Sequence, residues 1–256
     1  MWQDRRRVDD CPYHLLRGRR LSRLLITCEH ASRALPQGID TGGREAQAIL
    51  RTHWGWDIGI WDVARIVSRR LDATVVGGRY SRLVVDLNRD PNDPTLIRRE
   101  ADGIALPFNA RLSPREAGRR VLRIHAPYHA EIDRQVARRT AKGVRPFLLS
   151  FHSFTPHLNP RRRRFDAGVL YSDHARLGGR LGRELARQGF SVRYNRPYSG
   201  REGLIYAVAR HGSNHRVPYL ELEINQRGLG TPGERRRVGL RVAAATASFL
   251  ASLPDR

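Results

Sequence analysis

"PFLLSFHS", residues 146–153, joins a short apolar run to a histidine and a serine. A run of this length, bounded by proline and polar residues, is typical of a buried β-strand. Similar runs are "RLLITC" (23–28), "ATVVGG" (73–78), "LVVDL" (83–87), "AGVLY" (167–171), "FSVRY" (190–194) and "PYLELEI" (218–224). The sequence therefore predicts a strand over each of these segments.

Helical patterns separate the strands. "SPRE", from Ser113, places a capping side chain, a proline at the first helical position and Glu116 three residues on, and apolar positions then recur at 117, 121, 124, 128, 132 and 136. "TPGE", from Thr231, has the same capping pattern and precedes the last predicted helix. Further helices are predicted over 57–71 and 174–188. Alternating strands and helices predict an α/β three-layer sandwich with a mostly parallel or mixed central sheet. We expect one domain over residues 1–256, in which residues 1–20 form a loosely ordered extension.

The composition narrows the class of protein. Two cysteines, Cys11 and Cys28, are too few for a disulfide framework, and we expect a reduced, cytoplasmic chain without a membrane partner. The net charge of +22 leaves nucleic-acid binding open as an alternative. Lys142 is the only lysine, which indicates arginine-biased codon usage, and no nucleic-acid-binding motif accompanies the charge. The runs at 5–7, 161–164 and 235–237 are predicted to be solvated surface, so no specific nucleic-acid partner is expected.

Polar side chains lie at the ends of four predicted strands or directly after them. They are Glu29 and His30, Asn88 and Arg89, His152 and Ser153, and Glu221 and Glu223. Ligands of α/β sheets bind beyond the carboxyl ends of strands, so this set predicts a metal site with a general base and an anion clamp. The alternative is structural: a histidine at a strand end is often merely polar, and Asp86 can be a buried partner of Arg82 or Arg89.

Five segments resemble the N-formylglutamate amidohydrolase family in their order and spacing. They are "LLITCEHASRALP", "HWGWDIG", "YSRLVVDLNR", "FHSFTP" and "LELEINQ", and the likeness runs from about residue 22 to 250. The "DLNR" segment and the strand-end histidine and glutamate also resemble the zinc-dependent aspartoacylase and carboxypeptidase group. The resemblance implies a zinc-carboxypeptidase-like fold and hydrolysis of an N-formyl or other short N-acyl group on an acidic amino acid.

The resemblance also implies a metal site. It maps two metal-binding histidines onto His30 and His152, and the expected cofactor is one Zn²⁺ ion or another divalent metal. Carboxypeptidase-like enzymes have a glutamate three residues after the first histidine, but this chain has Arg33 there. We therefore expect Asp57, in "HWGWDIG", to be the carboxylate ligand, with Glu29 as the alternative.

Two residues are expected to act on the reacting atoms. Glu223 is the predicted general base, and it is preferred to Glu221 because the resemblance falls on the E-x-x-Q ending at Gln226. Arg82 is expected to stabilise the negative charge that develops on the carbonyl oxygen.

The remaining predictions concern substrate binding and the surroundings of the metal. Asn88 and Arg89 are expected to bind the substrate carboxylate, with Ser81 and Tyr198 as further contacts. His53 is expected to orient Asp57 or to be structural. The predicted partner is a small N-acyl amino acid, another N-acyl amino acid or peptide is the alternative substrate, and a homo-oligomer is possible.

Overall fold

The computed structural model describes residues 11–158 and 161–254. The strands are β1 (Tyr13–Leu16), β2 (Leu24–Cys28), β3 (Thr74–Gly78), β4 (Glu100–Ala101), β5 (Ile104–Ala105), β6 (Phe147–Phe154), β7 (His157–Leu158), β8 (Arg161–Arg162), β9 (Ala167–Leu170), β10 (Val192–Tyr194) and β11 (Tyr219–Asn225). Seven of these strands form one sheet in the order β1-β3-β2-β6-β11-β9-β10. Antiparallel pairing joins β1 to β3 and β9 to β11, and the other pairs are parallel, so the sheet is mixed.

Helices cover both faces of this sheet. The α-helices are α1 (Arg44–Leu50), α2 (Ile60–Leu71), α3 (Pro107–Ala110), α4 (Pro114–Arg120), α5 (Ala126–Thr140), α6 (Ala175–Arg187), α7 (Tyr206–His215) and α8 (Pro232–Ala251). Buried side chains of α2, α6 and α8 pack against one face, and those of α5 and α7 pack against the other. This arrangement confirms the predicted three-layer α/β fold with a mixed central sheet.

Both predicted capping boxes are present. The Ser113 hydroxyl accepts a hydrogen bond from the Glu116 N–H, and Thr231 does the same with Glu234 at the start of α8. A π-helical turn, Val121–His125, joins α4 to α5, and the predicted apolar stripe continues through it to positions 124, 128, 132 and 136, which are buried. These local signals fix where the helices start, and the stripe fixes the face that α5 presents to the sheet.

The strand predicted over residues 83–87 is wrong. The segment is a series of turns, in which Val84 N–H donates to Ser81 O and Asp86 N–H donates to Leu96 O. Every residue from 83 to 88 is nevertheless buried, and Leu83 packs in a different apolar cluster from Val84. A short run of buried apolar residues has no periodicity that separates a strand from a buried loop.

The ends of the chain and several short elements also differ from the expectation. The loosely ordered extension expected over residues 1–20 does not hold for Tyr13–Leu16, which forms β1 at the sheet edge. Residues 1–10, including the arginine run at 5–7, lie outside the described residues. The helices α1, α3 and α7 and the small β4–β5 and β7–β8 hairpins were not predicted. Among the described residues, no helix is long and apolar enough to cross a membrane.

Replacing Thr231 with alanine should destabilise the protein by about 1 kcal/mol, because the Glu234 N–H then loses its capping partner. Thr231→Ser keeps the hydroxyl and should remain within a few tenths of a kcal/mol of the native protein. Urea unfolding of the three proteins measures the difference. Equal destabilisation by alanine and serine would show that the cap is not the cause.

Candidate active site

Alternation along the central strands gathers polar side chains on one face of the sheet. On β6, Phe147, Leu149 and Phe151 pack against α2, α6 and α8, and the residues between them face the other way. That opposite face carries Ser150 and His152, and the register places these beside Glu221 and Glu223 of β11. The face is therefore apolar at the start of the strands and polar at their carboxyl ends.

His152 lies between two carboxylates. Its Nε2 donates to Oε2 of Glu29 at 2.9 Å, and its Nδ1 lies 2.9 Å from Oδ2 of Asp57. Glu29 is fully buried, and hydrogen bonds from His152 and Ser150 overcome the effect of burial and lower the pKa of Glu29 to about 2. Burial lowers the pKa of His152, but the carboxylates of Glu221, Asp57 and Glu29 raise it well above its usual value.

His30 is held in the same way. Its Nε2 bonds to Oδ1 of Asp86 at 2.7 Å, and its Nδ1 lies 3.5 Å from Oδ1 of Asp57. Within the described part of the chain, this buried Nδ1 has no hydrogen-bond partner. The His30 and His152 rings meet edge to face with their centroids 4.7 Å apart. In each ring, Nε2 is bonded to a carboxylate, and Nδ1 is the nitrogen that faces Asp57.

His30, Asp57 and His152 fit a metal ion. Each offers one ligand atom, and these three atoms lie within 4.8 Å of one another. Two imidazole nitrogens and a carboxylate oxygen suit Zn²⁺, and three protein ligands leave a position open for water or substrate. The partnerless Nδ1 of His30 is a buried polar atom that a cation would satisfy. Carboxylates on the far nitrogens, Glu29 for His152 and Asp86 for His30, are a common support for metal-binding histidines.

The geometry separates the two carboxylates that the sequence left open as metal ligands. Asp57 faces the Nδ1 atoms of both histidines, and Ser153 N–H fixes it by donating to Oδ2 at 3.0 Å. Glu29 faces the Nε2 atom of His152, on the opposite side of the ring. Asp57 is therefore the carboxylate placed to bind a cation, and Glu29 is placed to orient His152.

The charged side chains of Arg82 and Asp86, in and beside the buried 83–88 segment, lie at the same centre. Oδ2 of Asp86 accepts hydrogen bonds from Nε and Nη2 of Arg82 at 3.1 and 2.6 Å. Nη1 of Arg82 lies 3.9 Å from Oδ1 of Asp57, and the Arg82 side chain is 23% exposed. Arg82 and His30 overcome the effect of burial and hold the pKa of Asp86 well below its usual value. One aspartate thus orients both a histidine and an arginine.

Glu223 and Glu221 differ in their surroundings. Both are buried, and both lie on the face of β11 that carries the site. Oε2 of Glu223 has no hydrogen-bond partner among the described residues, and burial raises its pKa well above the usual value. Glu221 accepts from Nδ2 of Asn88 at 3.4 Å and lies 3.6 Å from Nε2 of His152, and burial raises its pKa to about 7. Of these two glutamates, Glu223 is the one with a carboxylate oxygen free to accept a hydrogen bond.

Two residues predicted to touch substrate are engaged within the protein. The Ser81 hydroxyl is fully buried, donates to Gly55 O at 2.7 Å and accepts from Leu83 N–H. The Asn88 side chain accepts from Ala207 N–H at 2.9 Å and donates toward Leu204 O and Glu221. Both side chains therefore make hydrogen bonds within the protein, and direct contact of either one with substrate stays a prediction.

The other two predicted contacts, Arg89 and Tyr198, are partly exposed to solvent. Arg89 is 18% exposed, donates to Asn88 O at 2.9 Å and lies 3.8 Å from Asp93. Tyr198 is 36% exposed, and burial, followed by the charge of Glu223, raises its pKa. Arg163, from the predicted surface run at 161–164, stacks on the Tyr198 ring at 5.2 Å.

His53 is not among the hydrogen-bond partners of Asp57 in the described part of the chain. The Asp57 carboxylate contacts His30, His152, Arg82 and Ser153 N–H, whereas His53 packs beside Trp54 with ring centroids 5.4 Å apart. The structural alternative that the sequence allowed for His53 is the one that this geometry favours.

Sequence reasoning missed several supporting residues. Tyr128, on the buried stripe of α5, donates to Oε1 of Glu29 at 2.9 Å, and Ser150 donates to its Oε2 at 2.6 Å. The sequence signal that could have indicated both residues is a hydroxyl group within an otherwise apolar stripe or strand. Arg163 had no signal, because its stacking depends on where a distant loop folds.

Comparisons with known proteins show which proteins this chain resembles. A gene product of Agrobacterium tumefaciens with a solved structure is similar, with 28% identity, a TM-score of 0.88 and coverage of 94% of this chain and 95% of that one. The N-formylglutamate amidohydrolase of Ralstonia eutropha shares the fold at 20% identity, with a TM-score of 0.75 over 95% of this chain and 100% of that one. An N-formylglutamate deformylase of Pseudomonas aeruginosa is 30% identical over 146 residues, or 53% of each chain. The match thus spans about half the length of that curated relative.

Fold and centre together define the class of protein: a mixed α/β fold with a buried histidine–carboxylate cluster at the carboxyl edge of its sheet. The model of the N-formylglutamate amidohydrolase family matches residues 22–229. The chain belongs to this family.

Replacing Asp86 with asparagine should weaken binding of a divalent cation at this centre by about 10-fold to 100-fold, because His30 loses the carboxylate that orients it. A competitive chelator titration with Zn²⁺ measures the affinity. Asp90→Asn, at an exposed aspartate in the same loop, is the matched control and should bind as the native protein does. Native affinity in Asp86→Asn would contradict the orienting role.

Proposed function

We propose that the protein is a metal-dependent amidohydrolase that removes an N-formyl or other short N-acyl group from an acidic amino acid such as N-formyl-L-glutamate. Family membership supports the reaction class. The observation that carries the proposal is the pair of buried histidines whose Nε2 atoms are held by carboxylates and whose Nδ1 atoms meet at Asp57.

One divalent cation, Zn²⁺ in our proposal, would be held by His30, Asp57 and His152. When bound, such an ion supplies a Lewis acid that makes water acidic enough to ionise near neutral pH. The chain supplies the remaining functions. Glu29 and Asp86 hold the two imidazoles in the tautomer that presents Nδ1, so the ligand set is organised before the cation arrives.

Glu223 is the proposed general base. Its Oε2 has no hydrogen-bond partner within the described residues, and the register sets it beside His152 on the neighbouring strand. Burial raises the pKa of Glu223, so its carboxylate binds a proton more readily than an exposed one would. Glu223 would accept a proton from the attacking water at Oε2 and then donate it to the departing amine nitrogen.

Arg82 is proposed to stabilise the oxyanion. Its guanidinium is held by two hydrogen bonds to Asp86, and Nη1 lies 3.9 Å from the Asp57 oxygen that faces His30. A positive charge fixed before the reaction costs no reorganisation when negative charge develops on the carbonyl oxygen.

Arg89 and Tyr198 are proposed to bind the rest of the substrate. Arg89 is partly exposed and lies close enough to Asp86 to lower the pKa of that carboxyl group. A guanidinium matches the two oxygens of a substrate carboxylate. Tyr198 stacks against Arg163, which adds positive charge on the same side of the site and favours an acidic substrate.

The reaction and its residues can be tested together by measuring zinc content and formate release from N-formyl-L-glutamate. The native protein should contain metal and release formate. His152→Ala should lose the metal of this centre, because one of its three ligands is gone. Glu223→Gln should keep that metal and lose about 10²-fold to 10⁴-fold in turnover, because the general base is gone. Glu202→Gln, at an exposed glutamate, should behave as the native protein does.

Two outcomes would contradict the proposal. Full activity in a metal-free native protein would exclude the metal-dependent mechanism, and native turnover in Glu223→Gln would exclude the assigned base. A metal-loaded native protein that releases no formate, but hydrolyses another N-acyl amino acid, would instead assign a different acyl substrate to the same centre.

A further inference from the structure

A second cluster of histidine and carboxylate groups joins α5 to α7. Oδ1 of Asp133, on α5, lies 2.6 Å from Nδ1 of His211 and 2.8 Å from Nε2 of His215. The two histidines are four residues apart on α7, so their side chains share one face of the helix. Their nitrogens and the Asp133 oxygen lie within 4.8 Å of one another, and none of these residues belongs to the His30 centre.

The hydrogen bonds behind His211 determine which of its nitrogens carries the proton. Nε2 of His129 lies 3.1 Å from the backbone oxygen of Leu87, which can only accept, so this nitrogen carries the hydrogen of the neutral ring. Nδ1 of His129 is then an acceptor and takes a hydrogen bond from Nε2 of His211 at 2.8 Å. The neutral His211 ring therefore presents the lone pair of Nδ1 to the Asp133 carboxylate.

A lone pair and a carboxylate oxygen 2.6 Å apart repel unless a positive group lies between them. Either a second proton on His211 or a metal cation satisfies this requirement. The His211 ring is fully buried, and burial disfavours the charged imidazolium. The same relation occurs at the proposed metal centre, where His152 donates from Nε2 and turns Nδ1 toward Asp57.

Arg210 lies beside this cluster but not in line with the Nδ1 lone pair of His211. Nη1 of Arg210 lies 3.3 Å from both ring nitrogens of His211 and 3.5 Å from Oδ2 of Asp133. A group equidistant from two ring nitrogens is off the in-plane direction of the Nδ1 lone pair, so Arg210 does not occupy that position. His215 is the last residue of α7, where the negative end of the helix dipole favours positive charge. The Asp133 and His215 side chains are 33% and 29% exposed, which gives a cation access from solvent.

We propose that Asp133, His211 and His215 form a second metal site, for a divalent cation of the zinc, cobalt or nickel type. Two imidazoles and a carboxylate are ligands that these ions accept. The bound cation ties α5 to α7. It also fixes His129, whose hydrogen bond reaches Leu87 O beside Asp86, the residue that orients His30 and Arg82. The site is therefore a structural support for the segment that carries the catalytic charges.

The number of zinc ions per chain, measured after dialysis, tests this proposal. The His152→Ala variant removes the ion of the first centre, so that only the second site is counted. The native protein should hold two zinc ions per chain, and His152→Ala should keep one. His152→Ala combined with either His215→Ala or Asp133→Asn should hold none. His152→Ala combined with His157→Ala, at an exposed histidine outside both clusters, should keep its one ion.

Thermal unfolding gives an independent readout on the His152→Ala background. Zinc at about 100 times its dissociation constant should raise the Tm by roughly 5–10 °C, and this shift should disappear when Asp133→Asn is added. Absence of zinc from folded His152→Ala would overturn the proposal, since a proton on His211 would then satisfy Asp133. Retention of the ion in both double variants at Asp133 and His215 would overturn it as well.

Discussion

The site depends on which nitrogen of each buried histidine is tied to a carboxylate. Glu29 takes Nε2 of His152 and Asp86 takes Nε2 of His30, so both Nδ1 atoms turn toward Asp57. Burying several carboxylates beside two imidazoles costs free energy unless each charge is matched. Hydrogen bonds from Tyr128, Ser150 and Arg82 match the two supporting carboxylates. The position beside Asp57 is the one that the proposed cation would take.

The sheet makes this constraint possible. On its α2, α6 and α8 side the central strands carry an uninterrupted apolar core, which stabilises the fold independently of the site. The opposite side becomes polar only near the carboxyl ends, where β6 and β11 run parallel and in register. The segment that follows Ser81 closes this edge as a buried loop, and its turns direct Arg82 and Asp86 toward the centre. A strand would have turned these two side chains to one face without bringing Asp86 back onto His30.

Much of the fold could be predicted from the sequence, because strand runs, capping boxes and the stripe of α5 are local signals. The positions of His30, His152 and Glu223 near the ends of strands were also predictable, and their roles in the reaction stay predictions. Asp57 lies in a loop, and only the resemblance to a family indicated it. The orienting role of Glu29 could not be read from the sequence, because it depends on which ring nitrogen it faces. The Asp133 cluster gave no signal, since α7 was not predicted and its contact with α5 is long-range.

In the proposed function, the Nδ1 atoms of His30 and His152 are the metal-binding nitrogens. An anomalous difference map from zinc-soaked crystals, recorded at the zinc absorption edge, locates the ion. We expect a peak about 2.0–2.2 Å from both Nδ1 atoms and from an Asp57 oxygen. A peak on the other side of His152, between its Nε2, Glu29 and Glu221, would exclude this assignment, as would no peak beside Asp57.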